Sequence, residues 1–315
     1  MMHNKDQTEQ TQLFVSVSPH IRGSVTTNDI MLDVLIALAP AFIISMIIFG
    51  ARAALVVFVC IAACVFCEWA YEKAMKKPIT IRDCSAAITG VLLAFNLPVN
   101  ISIWQAVFGS AVAIILIKQL FGGLGKNFAN PAITARIVMF LAFSAPMTIW
   151  TSPLDGLTGA TPLALLANGE VDALPSLTDM FLGLHGGALG ETCAAALLFG
   201  GVYLLIRRVI TWHTPVAFIA AVGVFTAILG HDPLYHILSG GLLLGAIFMA
   251  TDYVTTPYTN SGRLIFGIGA GLLTVLFRVY GSFPEGVSFA ILLMNILTPY
   301  INKLTGSKPL GGVRP

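Results

Sequence analysis

Charge is what this sequence has least of. Lys, Arg, Asp and Glu make up 10% of its 315 residues, against 57% hydrophobic. A soluble domain carries about a quarter charged residues. The composition therefore excludes a water-surrounded globule and points to an integral membrane protein, as does the mean hydropathy of +0.86. There is no basic, aromatic-rich groove for nucleic acid. No P-loop occurs, and no Gly-x-Gly-x-x-Gly stands between a strand and a helix. The first thirty residues are polar and lack an apolar run after a basic start, so no cleaved signal peptide is expected.

Cysteine is also sparse. The five are Cys60, Cys64, Cys67, Cys84 and Cys193; Cys64 and Cys67 stand as Cys-x-x-Cys inside an apolar run, with no second such pair to complete a zinc or ferredoxin motif. Cys60, Cys64 and Cys67 share one face of an apolar helix at i, i+4 and i+7. They read either as one edge of a metal or iron–sulfur site or as small apolar residues at a helix contact. The contact is the better reading, because three thiols on one straight helix cannot surround a cluster.

The longest gap between apolar segments runs from Thr151 to Gly190 and holds Asp155-Gly156-Leu157-Thr158-Gly159-Ala160-Thr161. This resembles the Asp-x-x-(Ser/Thr)-Gly-Ala-(Ser/Thr) pattern of proteins that carry FMN as a phosphoester on the last residue, here Thr161. A threonine hydroxyl is too weak a nucleophile to take the phosphoryl group unaided, so a flavin transferase must reach it. The small residues Gly159 and Ala160 leave room. A structural reading coexists. Thr161-Pro162, an apolar tetrad and Asn168-Gly169 also spell an N-cap, Pro at N1, one short helix and a Gly stop. A phosphate at Thr161 would then lie at a helix start, where free amides favour anions.

Ten hydrophobic segments follow a polar arm. They cover 30–49, 53–71, 85–97, 101–119, 131–150, 191–210, 214–229, 234–251, 263–280 and 286–303. Several are shorter than the ~20 residues of a simple span. Within the arm, 12–18 could form a short strand, and Thr26 to Asp29 carry cap signals. With the N-terminus in the cytoplasm, only Arg52 and Arg278 of the 17 basic residues fall on the outer side, while Lys118 and Arg136 count as inner. Both termini are then cytoplasmic and the Thr161 loop is extracytoplasmic, where flavin transferases of this kind act. Thr89-Gly90-Val91-Leu92-Leu93-Ala94 in the third segment matches Ser239-Gly240-Gly241-Leu242-Leu243-Leu244 in the eighth. Five segments per half invert the second half. Short, glycine-interrupted segments at matching positions point to a site near the membrane midplane.

Taken together, nearly the whole chain resembles the NqrB/RnfD family, which holds the RnfD component of Rnf complexes and the NqrB component of the Na+-pumping NADH:quinone reductase. The resemblance rests on the flavin motif, the ten-segment plan, Phe121 to Ala132 (FGGLGKNFANPA) and Met249 to Pro257 (MATDYVTTP). The length suits the Rnf component better. The resemblance implies an all-α membrane fold like urea and ammonium channels, and a bacterial inner-membrane location. It implies FMN on Thr161, a non-covalent riboflavin in some relatives, and coupling of ferredoxin–NAD electron traffic to Na+ or H+ transport. The implied partners are Rnf subunits A, B, C, E and G, membrane lipid, and the flavin transferase during maturation. NAD and ferredoxin would be handled by those other subunits.

Other residues invite functional and structural readings side by side. Gly122, Gly123, Gly125, Asn127 and Asn130-Pro131 could cradle an ion or flavin, or form a tight interhelical turn with caps. Asp252 with Thr251, Thr255 and Thr256 offers oxygens suited to Na+, or it caps the next turn or pairs with Arg263. Asp29 reads as a cap, Asp33 as a structural partner of a neighbouring helix. His231-Asp232-Pro233 reads as a turn, with a proton relay or metal site involving His236 as the alternative. The expected organisation is an arm (1–29), a first five-helix repeat (30–150), the flavin loop (151–190), a second repeat (191–303) and a tail (304–315). The rival readings are the quinone-reductase component and a urea-channel-type transporter without redox chemistry.

Overall fold

The computed structural model describes residues 26–151, 158–281 and 286–306. The 12–18 strand, Asp155 and the tail beyond 306 lie outside them. The described chain is helical apart from a two-residue antiparallel ladder, β1 (Trp150–Thr151) with β2 (Thr158–Gly159).

The first half runs α1 (Thr27–Phe49), α2 (Ala51–Ala74), α3 (Ser85–Phe95), α4 (Ile103–Gln119) and α5 (Pro131–Ala142). Short helices α6 (Ser144–Thr148), α7 (Pro162–Asn168) and α8 (Leu177–Leu182) follow. The second half holds α9 (Ala194–Ile206), α10 (His213–Ile228) and α11 (Pro233–Leu238). Then come α12, a turn Leu242–Leu244 that continues as the π-helix Gly245–Met249, and α13 (Asn260–Tyr280) and α14 (Val287–Thr305).

Among the described residues, α1, α2, α13 and α14 are long and apolar enough to cross a membrane. Their outward faces are apolar: Ile36, Ile43 and Ile47 on α1 and Phe58 and Phe66 on α2 are exposed. Only lipid makes that arrangement favourable. The shorter helices α3, α4, α5, α9 and α10 are apolar too.

Local signals explain the helix ends. Thr26 caps α1 in a capping box with Asp29. Asn130 caps α5, with Pro131 at its first position. Gly122, Gly123 and Gly125 all take positive φ in the turn before α5, so this stretch is the tight interhelical turn of the structural reading.

Two expected segments are broken. The run 131–150 stops as a helix at Ala142, because Phe143 leaves helical geometry at φ −134° and ψ 54°. The run 234–251 breaks at Ser239–Gly241, where Gly240 takes φ +60°. Lys118 and Arg136, counted above as cytoplasmic cations, are instead buried at 2% and 6% exposure. They therefore say little about orientation.

Helix α3 packs closely on α2. A Cβ on Gly90 would stand 2.7 Å from Cα of Ile61 and 2.9 Å from the Cys60 carbonyl. Cys60 and Cys64 are fully buried at this face, which is the helix contact read from their spacing. α1 packs on α9, α10 on α13, and α5 on α14. The buried core is continuous across these pairs.

Candidate functional site

Thr161 stands where the sequence places a cap. Its backbone is extended (φ −69°, ψ 156°), and its Oγ1 accepts from the Ala164 amide at 3.2 Å. Pro162 opens α7 and Gly169 closes it in left-handed geometry. Gly159 and Ala160 are exposed, and a Cβ on Gly159 would meet nothing within 4 Å. The approach is therefore open at two of the motif residues. Thr161 itself is only 7% exposed, so its hydroxyl faces inward. The oxygen can carry a phosphoester while it still accepts from Ala164. A phosphate there would meet the first amides of α7. The residues present thus fit attachment of a phosphate once the cover over Thr161 is displaced. Thr158 contributes backbone to the ladder opposite Thr151.

This corner is tied to the centre of the molecule. Leu163 packs on Gly240 at the start of α12, beside the Arg278 guanidinium. Arg278 donates to the carbonyls of His236 and Ser239. Gly186 lies against the backbone of Ala160 and Thr151. Beside it, His185 is buried with Nδ1 3.0 Å from the Gly186 carbonyl. Burial pushes the His185 imidazole below its ordinary pKa, against smaller raising effects from the Gly186 and Thr192 backbone and Glu191.

Deeper lies a buried polar junction. Arg136 Nη1 donates to Asn96 Oδ1 and to Glu191 Oε1, both at 2.7 Å. Asn96 is the C-cap of α3, and its Nδ2 donates to the Leu92 carbonyl at 2.6 Å. The backbone of the loop is stitched to the end of α3. The Leu189 amide donates to the Leu97 carbonyl and the Gly190 amide to the Phe95 carbonyl.

Beside α3 opens a cavity of about 120 Å³. Thr89, Leu92, Asn130 and Phe248 line it, as do Lys118, Thr251 and Asp252. Asp252 is half-buried. Its Oδ2 accepts from Thr255 Oγ1 at 3.1 Å, and its Oδ1 accepts from the Val254 amide at 3.4 Å. Thr251 Oγ1 donates to the Ile247 carbonyl at 2.6 Å, and Thr256 Oγ1 to the Ala250 carbonyl. Asp252 thus caps its own turn. Arg263 bonds Pro257 and Thr211 instead of Asp252. Thr251 and Asp252 remain beside the cavity with lone pairs available. They follow the end of α12, whereas the Thr161 corner touches its start. Eight residues of helix separate the two by about 12 Å.

A second buried network sits at the far end of α2. Lys118 Nζ lies 2.6 Å from Glu68 Oε1 and donates to Ser85 Oγ at 2.6 Å. Gln119 Nε2 donates to Glu68 and, at 3.4 Å, to Glu72. Glu72 also accepts from the Thr80 amide and hydroxyl. Lys118 and Gln119 lie in a π-helical stretch of α4, Val112–Gln119, a geometry frequent at functional sites.

The remaining candidates take structural places. Asp33 pairs with Arg207 at 3.1 Å and accepts from Tyr203, which ties α1 to α9. Asp232 caps α11 through the Leu234 amide. His231 and His236 rings stand 5.7 Å apart. Among the described residues, no group of three or more His, Cys, Asp and Glu could hold a metal.

Sequence reading missed Glu68, Glu72, Lys118, Arg136 and Glu191 as site residues. The signal was present, because an ionisable residue inside an apolar segment is a functional candidate.

The model of the family described as NQR2, RnfD, RnfE matches residues 14–311. The D subunit of the Na+-translocating ferredoxin:NAD+ oxidoreductase complex of Acetobacterium woodii is 46% identical over 306 residues, which cover 96% of each chain. The D subunit of the proton-translocating ferredoxin:NAD+ oxidoreductase complex of Clostridium ljungdahlii is 41% identical, over 92% of this chain and 94% of its own. The D subunit of the ion-translocating oxidoreductase complex of Stutzerimonas stutzeri is 40% identical, over 92% and 93%.

Proposed function

The chain belongs to the NQR2, RnfD, RnfE family, and on that premise we propose that it is the RnfD-type membrane subunit of an ion-translocating ferredoxin:NAD+ oxidoreductase. One observation carries this reading: the match to relatives of that name, which spans nearly all of both chains. It favours this assignment over the quinone-reductase component and over a transporter without redox chemistry. The chain is one part of a multisubunit oxidoreductase, and the other Rnf subunits supply ferredoxin and NAD+ handling.

Within that role, Thr161 carries FMN as a phosphoester. Asp155, Thr158, Gly159 and Ala160 form the recognition stretch for the transferase. When bound, FMN supplies one- and two-electron transfer at the loop. The chain's own residues do the rest. Thr161 Oγ1 anchors the phosphate, the start of α7 offers it amides, and Leu163 seats the corner on α12. A non-covalent riboflavin is a further cofactor of the same reading.

The ten segments form two inverted halves, as in urea and ammonium channels. A repeated device supports this. Lys118, at the end of the fourth segment, holds the start of α3 through Ser85 Oγ. Arg278, at the end of the ninth, holds the start of broken helix α12 through Ser239. The termini face the cytoplasm of the bacterial cell and the Thr161 loop faces outward. Lys73, Lys76, Lys77 and Arg82 support this orientation. Asp252 and Thr251 serve the cation, Na+ or H+, at the cytoplasmic cavity.

The test is expression in a host that attaches flavin. The wild-type chain gains the mass of FMN and fluoresces in a denaturing gel. Thr161→Ala loses both but still assembles with the complex. A wild-type chain without added mass, in a host that labels another acceptor protein, refutes the attachment.

A further inference from the structure

Glu191 ends the loop that carries Thr161 and is joined through Arg136 and Asn96 to Leu92, which lines the cavity. We propose that Glu191 is the carboxylate at which the transported cation crosses between them, with Arg136 as its tethered stand-in. This rests on the ion-transport reading above and names a site for it.

Glu191 is 4% exposed. One carboxylate oxygen, Oε1, takes Arg136 at 2.7 Å. The other, Oε2, is buried with no hydrogen-bond partner. A buried carboxylate oxygen left bare is costly, so it marks a place for a small cation or proton donor. Glu191 is linked on both sides. Toward the loop, five residues of chain lead from Gly186, packed on Ala160, to Glu191. Toward the cavity, Arg136 reaches Asn96, and Asn96 bonds the carbonyl of Leu92, a residue that lines the cavity. The start of α12 also closes on the site. A Cβ on Gly241 would lie 2.5 Å from Glu191 Oε1, so glycine lets the broken helix touch the carboxylate.

The geometry makes an exchange device. Arg136 holds two acceptors with one nitrogen, Glu191 and Asn96. A monovalent cation that arrives at Glu191 replaces the guanidinium there, and Arg136 keeps Asn96 at the C-terminal end of α3. A helix C-terminus favours a positive charge. When the cation leaves, Arg136 returns. The carboxylate is never left uncompensated, which is the condition for a charge to stay buried. A bare cation leak would need Glu191 unpaired, so the same pair blocks uncoupled flow. Na+ and H+ share this chemistry, and the assay separates them.

The test uses the purified complex that contains this chain, reconstituted in liposomes. It measures Na+ uptake with a radiotracer and H+ uptake with a pH dye, each per electron pair passed from ferredoxin to NAD+. Glu191→Gln is expected to lower the cation-to-electron ratio at least tenfold. Glu191→Asp, which keeps the charge one methylene back, is expected to retain transport with a raised KM for the carried cation. Response of Na+ uptake identifies Na+ as the ion at Glu191, and response of H+ uptake alone identifies the proton. A wild-type ratio in Glu191→Gln overturns the proposal. If Glu191→Gln fails to assemble, Glu191→Asp decides: a wild-type ratio and KM also overturn it. A wild-type complex that couples no transport at all refutes the functional reading itself, which keeps the two failures distinct.

Discussion

Removing Lys118 while leaving Glu68 in place tests the buried charge network most directly. The ammonium and carboxylate are 2.6 Å apart, with side chains 3% and 0% exposed. Lys118→Met keeps the length and apolar stem but deletes the charge and the bond to Ser85. Glu68 would keep one partner, Gln119, and Glu72 would add a second negative charge within reach of the same amide. Breaking a buried pair from one side costs about 3–5 kcal/mol. A chain of this size loses about 2 °C of Tm per kcal/mol, so Lys118→Met is expected to lower Tm by about 6–10 °C. The double variant Glu68→Gln/Lys118→Met removes both charges and should return to within about 1 kcal/mol of wild type. Thermal unfolding of the purified chain in one detergent, followed by intrinsic fluorescence, completes the double-mutant cycle. A single-variant loss under about 2 °C, or a double variant no better than Lys118→Met, refutes the claim that these charges compensate each other.

Two further outcomes follow from the same geometry. Gly90→Ala puts a methyl 2.7 Å from backbone of α2, which cannot move as a side chain could. It should cost about 1–3 kcal/mol, read in the same unfolding assay, while an equal change at the open Gly159 should cost nothing measurable. The His185 imidazole is held below its ordinary pKa by burial, so its contribution to stability is present above pH ~6.5 and is lost as the pH falls through the depressed folded value. Unfolding scans between pH 7.5 and 5 should show that loss in wild type and not in His185→Gln; parallel curves for the two would remove His185 as its source.

Much of the scaffold was legible because membrane physics is written in hydropathy. Helix starts at Thr26, Asn130 and Thr161 were legible because a cap needs one residue type in one place, whereas Asp232, read as part of a turn, caps α11. The cysteine face on α2 was legible for the same local reason. What was not legible was long-range. Arg136 sits mid-segment and reads as a loop cation when charges are merely counted. Its partner, Glu191, is 55 residues away, and no spacing rule joins them. Likewise Asp252 was a fair candidate partner for Arg263 by sequence distance, but the turn directs Arg263 to Pro257 and Thr211. The break at Gly240 was hinted at by Ser239-Gly240-Gly241, yet that stretch resembles an ordinary Gly-rich span until Leu163 and Arg278 are seen to hold it.

Coupling electrons to ions requires that a charge arriving at one place change the energy of a charge at another. In water that influence fades within about 8 Å at physiological salt. Inside this chain it does not have to cross water. The Thr161 corner leans on Gly240, and the next residue, Gly241, leans on Glu191. The Leu189 and Gly190 amides at the end of the loop are hydrogen-bonded to the end of α3, whose cap shares Arg136 with Glu191. Both routes run through packed, low-dielectric structure, where charges act on each other far more strongly than in solvent. Buried helix ends are costly unless something satisfies them. Here charged groups meet those ends: Arg278 and Glu191 at the start of α12, Lys118 at the start of α3 and Arg136 at its C-cap. The break at Gly240 is therefore what brings backbone close to the carboxylate. A continuous helix through Gly240 would bury that position in its own backbone and leave the Thr161 loop with nothing to pack against.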